Sequence, residues 1–374
     1  MNFDLSEEQQ LVSDSIERFV QENYNLDSRI AIVKKSPGYS EEYWKTMSEL
    51  GWLGLPFSED DGGFGGDQID TMVLMEQFGK GLVLEPYLAS IILGGGAIKR
   101  AGNDEQRQAW LEGVIDGSKQ LALAYAEPES GDEPHNVALA GSKTGDGYTL
   151  TGTKCMVLHG GTATAFVVSF RTSGGTVDQS GITLALIPAD REGLSIQAFP
   201  TVDGLQSSEL TFDKVAVTAA DIIGDVDGGF ETLNATINDG ILAVAAEAVG
   251  AMEVLYKDTV AYTQDREQFD HPLSDFQVLQ HRMVEMFMEY EQCKSLLFRA
   301  TMEVASNGED AQRCVHALKH LIGKASFFVG ENAVQTHGGM GVTEELRVGH
   351  YFKRLLVIEA QFGNTDYHLD QFAA

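Results

Sequence analysis

Tyr148-Thr149-Leu150-Thr151-Gly152, followed by Ala165-Phe166-Val167-Val168-Ser169, decides how this chain is built. The pattern returns as Ile182-Thr183-Leu184-Ala185-Leu186-Ile187 and as Leu210-Thr211-Phe212-Asp213, with Gly, Asp and Ser clusters between the runs. β-Branched and aromatic side chains suit a pleated surface, and closely spaced turn residues bring the chain back on itself. The stretch from Leu121 to Ile223 therefore predicts an antiparallel sandwich or barrel. On either side the period is helical. Upstream, Ser6 and Gln9 form a capping-box pattern ahead of Leu11, Ile16, Phe19 and Val20, and helices are predicted over 41–50, 69–78, 87–101 and 104–115. Downstream of Gly228-Gly229, Leu279, Met283, Met286, Phe287 and Tyr290 mark one long amphipathic helix, and Val315, Leu318, Ile322 and Ala325 mark another. The expected architecture is α+β and multidomain: a helical domain over 1–118, a β-domain over 119–224, and a four-helix bundle over 225–374 that also serves oligomerisation.

With 374 residues and 43% hydrophobic content, the chain has material for two or three well-packed domains. Its 56 acidic residues outnumber 26 basic ones, giving a formal charge of -30. Such a surface repels duplex DNA and anionic membranes, so any polyanionic ligand needs a locally basic site. Cys155, Cys293 and Cys314 are too few and too scattered for a disulfide framework or a metal site. The acidic start Met1-Asn2-Phe3-Asp4-Leu5-Ser6 does not read as a secretory signal. The longest apolar stretch, near Tyr87 to Ile98, is too short to span a bilayer. A cytoplasmic protein is expected.

Two segments suit a charged, extended ligand. Arg266-Glu267-Gln268-Phe269 offers a guanidinium with five fixed donors for phosphate. Gln335-Thr336-His337-Gly338-Gly339-Met340-Gly341 would let backbone N–H groups approach a pyrophosphate closely. The glycine-rich run from Pro56 to Gly66 has no strand before it and no phosphate-binding lysine after it, so it reads as a structural turn.

Placed in this order, the segments resemble the acyl-CoA dehydrogenase family over essentially the whole chain. Phe3 to Gln9 looks like the family's first helix, and Gly51-Trp52-Leu53-Gly54-Leu55-Pro56 through Gly66 like its glycine-rich turn. Asp265 to Phe269 and Gln335-x-x-Gly338-Gly339-x-Gly341 resemble two FAD-binding motifs. Val157-Leu158-His159-Gly160, His350 to Leu355 and Phe362-Gly363 are most similar to the small subunits of pimeloyl-CoA dehydrogenases. The resemblance implies FAD, an acyl-CoA substrate and an acceptor like electron-transfer flavoprotein. It also implies α,β-elimination, in which a carboxylate takes the α-proton while the β-hydrogen leaves as hydride.

The departures fall where that chemistry belongs. The family's Thr-Glu-Pro segment here reads Ala126-Glu127-Pro128. In the flavin-packing segment, Met156 and Leu158 replace its Trp and Thr, and His159 ends it, facing the flavin or capping a strand turn. Gly363 and Gly240 occupy the two positions where the family carries its base. Asp239, Glu247 and Glu359 are the nearby substitutes, with Asp239 and Glu247 the candidate catalytic residues. Arg266, Gln268, Phe269, Gln335, Gly338, Gly339 and Gly341 are the candidate cofactor-binding residues. In the family such groups reach a neighbouring subunit's FAD. The pattern therefore predicts a homo-oligomer or a heterotetramer with a paralogous subunit, to which this chain lends its FAD-binding groups. A self-sufficient dehydrogenase and a non-catalytic structural or regulatory subunit are the alternatives.

Overall fold

The computed structural model describes residues 5–374. Residues 1–4, on which the N-terminal targeting reading and the Phe3-Asp4 end of the first-helix resemblance rest, lie outside the described residues. The chain begins with α1 (Glu7–Asn23), α2 (Leu26–Val33), α3 (Glu41–Glu49) and α4 (Gln68–Gly81). A π-helical segment (Leu88–Gly95) then runs into α5 (Gly96–Ala101), followed by α6 (Asp104–Ile115). Strands come next: β1 (Leu121–Ala124), β2 (Ala140–Thr144), β3 (Gly147–Leu158), β4 (Ala165–Arg171), β5 (Ile182–Pro188), β6 (Leu194–Pro200), β7 (Gln206–Val217) and β8 (Ile222–Ile223). The last part holds α7 (Gly229–Asp265), the ribbon β9 (Glu267–Gln268) and β10 (His271–Pro272), α8 (Gln277–Ala305), α9 (Ala311–His337), α10 (Arg347–Ala360) and α11 (Thr365–Ala373). Helices, sheet, helices is the order the residue pattern predicts.

Two compact units emerge, and they do not follow chain order. One holds Met1–Ala31, Asp67–Val83 and Ile241–Ala374; the other holds Ile32–Gly66 and Leu84–Gly240. The first unit is helical. α1 opens with both halves of the Ser6–Gln9 capping box, and Gln77 of α4 donates to Ser13 at 3.0 Å. α4 and α7 meet backbone to backbone: a Cβ on Gly79 would lie 2.0 Å from the Glu247 carbonyl, and one on Gly250 2.0 Å from that of Glu76. On α9 the whole predicted stripe Val315, Leu318, Ile322 and Ala325 is buried. On α8 only part of the stripe is core, because Met286 and Tyr290 are buried while Phe287 is 42% exposed.

The second unit is built on an eight-stranded sheet in the order β6-β7-β3-β2-β4-β5-β8, with β1 added beside β4. Leu150, Phe166, Phe170, Leu210, Phe212 and Val215 fill its core, each aromatic ring contributing roughly 2–3 kcal/mol by leaving water. The sheet departs from a purely antiparallel one, since β1 pairs with β4 in parallel, Leu121 opposite Ala165 through Ala124 opposite Val168. Parallel pairing needs a long return, and the chain between the two strands supplies it. Leu121-Ala122-Leu123-Ala124 has no β-branched residue and is buried throughout, so neither alternation nor propensity marks it. The helix expected over 87–101 is likewise interrupted by its π-helical first half. All three cysteines are free.

Candidate functional site

The cofactor-binding candidates lie together at one end of the helical unit. Arg266 is the first residue beyond α7; its N–H donates to the Tyr262 carbonyl at 2.8 Å and its own carbonyl accepts from Leu273 at 2.8 Å. The backbone is thus fixed while the guanidinium is exposed, with no hydrogen-bond or ion-pair partner among the described residues. The ribbon that follows turns through Phe269 (φ 57°) and Asp270 (φ 63°). Two consecutive left-handed residues make the turn type that matches strand twist, at a cost of roughly 1 kcal/mol or more per non-glycine residue. The strain holds the Phe269 ring in the open, 84% exposed and edge-on to Phe276 at 6.3 Å. Gln268 is exposed beside it, and its side chain donates to the Glu267 carbonyl at 2.8 Å.

Gln335 is exposed near the end of α9. The chain then leaves the helix through Gly338 at φ 61°, ψ -140°, a conformation that L side chains avoid. A Cβ on Gly338 or Gly339 would meet nothing within 4 Å, so that side of the loop is open to a ligand. Gly341 differs: a Cβ there would lie 2.6 Å from the Val334 carbonyl, so it is glycine for close packing. The Tyr262 and His337 rings stack at 4.2 Å with their planes 27° apart, joining the root of the Arg266 segment to the root of the glycine loop. Residue pattern singles out neither ring; the one-turn spacing from Tyr262 to Arg266 was the available signal.

In the sheet unit, Glu127 and Lys154 bind the Ala126-Glu127-Pro128 segment to β3. The buried Glu127 carboxylate accepts from Ala138 N at 2.8 Å and from Lys154 Nζ at 2.6 Å, and Lys154 also donates to the Tyr125 carbonyl and Ser169. Burial pushes the Lys154 ammonium down to about 8, against the pull of Glu127. Cys155 N donates to the Ala126 carbonyl at 2.9 Å. Beyond that bond the β3–β7 register shifts, and Met156 stands at φ 52°, 53% exposed. Leu158 is half-buried. His159 is buried at the strand's end, where its carbonyl accepts from Thr162 and its ring meets Tyr39 edge-on at 6.3 Å.

The substitute carboxylates each have a structural partner. Asp239 forms an ion pair with Arg100. Glu247, 5% exposed, takes a two-pronged contact from Arg354, at 2.6 Å to Nε and 2.7 Å to Nη2. Glu359 accepts from Thr365 N at 2.9 Å and from its hydroxyl at 2.8 Å. Gly240 is buried within α7. At Gly363 (φ 103°) a Cβ would lie 2.5 Å from the Tyr367 ring, and Lys319 donates to the Gly363 and Glu359 carbonyls, each at 2.8 Å. His320 donates to the Thr365 carbonyl at 3.0 Å. His368 Nε2 lies 3.0 Å from the Phe362 carbonyl and must carry the proton, since a carbonyl only accepts. His368 Nδ1 then accepts from His316 Nδ1 at 2.9 Å, and His316 Nε2 accepts from Gln312 at 2.8 Å. Gln361 keeps both side-chain amide atoms buried without a hydrogen-bond partner among the described residues.

Three family models match consecutive segments: acyl-CoA dehydrogenase, N-terminal domain, over residues 6–118; middle domain, over 122–215; and C-terminal domain, over 227–374. The chain is 28% identical over 371 residues to a probable acyl-CoA dehydrogenase, YngJ, of Bacillus subtilis, covering 98% of this chain and 97% of that one. Among solved structures it is similar to the ChsE4-ChsE5 complex from Mycobacterium tuberculosis (TM-score 0.91, 25% identity, 100% of this chain and 98% of that one). It is also similar to the FAD complex of PigA (TM-score 0.92, 25% identity, 100% of this chain and 98% of that one).

Proposed function

The chain belongs to the acyl-CoA dehydrogenase family of FAD-dependent oxidoreductases, and we propose that it works as one half of a heteromeric dehydrogenase. In this reading Arg266, Gln268, Phe269, Gln335, Gly338 and Gly339 hold the dinucleotide end of FAD seated chiefly in a paralogous partner, and Gly341 keeps the loop in place. When bound, FAD accepts the hydride lost from the β-carbon of an acyl-CoA thioester. The observation that carries the reading is the exposed Arg266 guanidinium, with no partner among the described residues, on a segment that the Tyr262–His337 stack joins to two glycines with open faces, in a chain of 56 acidic residues. An exposed arginine without a carboxylate partner among the described residues, one helical turn from a fixed aromatic stack, suits a phosphate supplied from outside the chain.

The carboxylates support the same division of labour. Asp239 and Glu247 are each engaged by an arginine of this chain, Arg100 and Arg354 respectively. In our reading Asp239 and Glu247 anchor helices, and the proton-abstracting carboxylate belongs to the partner. Likeness to the ChsE4-ChsE5 complex, a pairing of two different chains, is in keeping with this. An acceptor resembling electron-transfer flavoprotein, a cytoplasmic location and the functional division at 1–118, 119–224 and 225–374 complete the proposal. No helix among the described residues is long and apolar enough to cross a membrane.

Flavin content tests it. Purified alone, the chain should carry well under one FAD per subunit and leave acyl-CoA unoxidised; co-expressed with its paralogue, it should yield a flavin-loaded, active complex. A full flavin complement and normal turnover from the chain alone would overturn the proposal. Loss of that turnover in Asp239→Asn or Glu247→Gln would then assign the base to this chain.

A further inference from the structure

We infer that Tyr262 and His337 are the positioning couple of the FAD cradle, their stacked rings fixing the end of α7 against the end of α9 so that Arg266 and the Gly338–Gly339 backbone act on one pyrophosphate. The inference rests on the lending role proposed above. Tyr262 stands one turn before Arg266, whose N–H donates to its carbonyl at 2.8 Å. His337 immediately precedes Gly338. With centroids 4.2 Å apart and planes 27° from parallel, the rings make a close stacked contact. His337 is 5% exposed, and its Nδ1 lies 2.8 Å from the Ala333 carbonyl, so Nδ1 carries the proton and the ring cannot swing away without losing that bond. The Tyr262 hydroxyl reaches the His337 carbonyl at 3.5 Å, a long contact that adds little.

Other tethers near this corner point elsewhere. Thr263, next to Tyr262, reaches Met283 and so ties α7 to α8, and the Phe269 ring meets Phe276. The Arg266 guanidinium has no partner among the described residues, and Gly338 and Gly339 face open space. The groups that would grip the ligand are therefore placed by their backbones, and the ring stack registers one backbone to the other. A guanidinium and a run of amides share one pyrophosphate only when held to within about 0.5 Å.

The test compares Tyr262→Ala, Tyr262→Phe and Arg266→Ala in the full-length chain co-purified with its paralogous partner. FAD and ADP affinity are read by titration, and amide hydrogen exchange is followed over residues 338–342. Tyr262→Ala should weaken FAD binding about 3- to 10-fold, the range expected for a lost aromatic pair. It should also raise exchange over 338–342, while Tyr262→Phe stays within about two-fold of wild type because the stack survives. A double-mutant cycle with Arg266→Ala should show coupling. If Arg266→Ala loses FAD but Tyr262→Ala changes neither binding nor exchange, the positioning role fails and the lending role stands. If Arg266→Ala leaves both affinities unchanged, the lending role and this inference fall together.

Discussion

Two loops of the same helical unit turn at a positive-φ glycine, Gly338 and Gly363, and treat their polar groups in opposite ways. The loop after α9 keeps Gly338 and Gly339 facing open space, and the Tyr262–His337 stack joins it to the segment of Arg266, whose guanidinium has no partner among the described residues. The loop after α10, at Gly363, draws in Lys319, His320, His368, Glu359 and Thr365 to bond its own backbone. A ligand site needs donors left unspent, whereas a structural corner spends them. In the proposed function the first loop holds something outside the chain; the second holds its own helices.

Acid should break the second loop first. Burial, with Lys319 close by, depresses the His368 imidazolium to about 3, and His316 is also depressed by burial. An unfolded histidine near 6.5 then binds protons that the folded one refuses, so this contribution is complete above about pH 6.5 and is lost as pH falls towards 3. The slope approaches about 1.4 kcal/mol per pH unit. Urea unfolding from pH 7 to 4 should show it, and His368→Gln should flatten the curve relative to wild type.

Lys319→Met comes next in size, because it leaves the Glu359 and Gly363 carbonyls without their charged donor, at a cost of about 2–3 kcal/mol in equilibrium unfolding. Gly363→Ala should lose about 1–2 kcal/mol from the positive φ and the Tyr367 contact. The same geometry means that Gly363→Glu will not restore a working base, and an acyl-CoA oxidation assay of that variant checks this. Arg266→Ala sharpens the comparison from the other side. Its unfolding free energy should stay within about 0.5 kcal/mol of wild type, while FAD affinity falls about 10-fold or more. A large loss of stability in Arg266→Ala would erase the distinction between the two loops.

Residue pattern carried much of this protein. The Ser6–Gln9 box and the stripe on α9 are local signals that tertiary packing left in place, and Asp104–Ile115 is helical to the residue. The Arg266 and Gln335–Gly341 segments, proposed to hold FAD, stood out because phosphate recognition needs particular residue types at short spacing. By contrast, β1 carries too weak a local preference to declare itself, and only its parallel place beside β4 makes it a strand. Asp239 and Glu247 looked like spare carboxylates because Arg100 and Arg354, which hold them, are far away in the chain.

The sequence by itself determined the kinds of element, their order and the segments proposed to meet a dinucleotide, since these depend on periodicity and on side chains a few residues apart. Tertiary structure alone decided which polar groups are spent and which remain free. An ion pair, a stacked ring or a filled space at Gly363 is a meeting of residues brought together by packing, and their separation along the chain carries no trace of it.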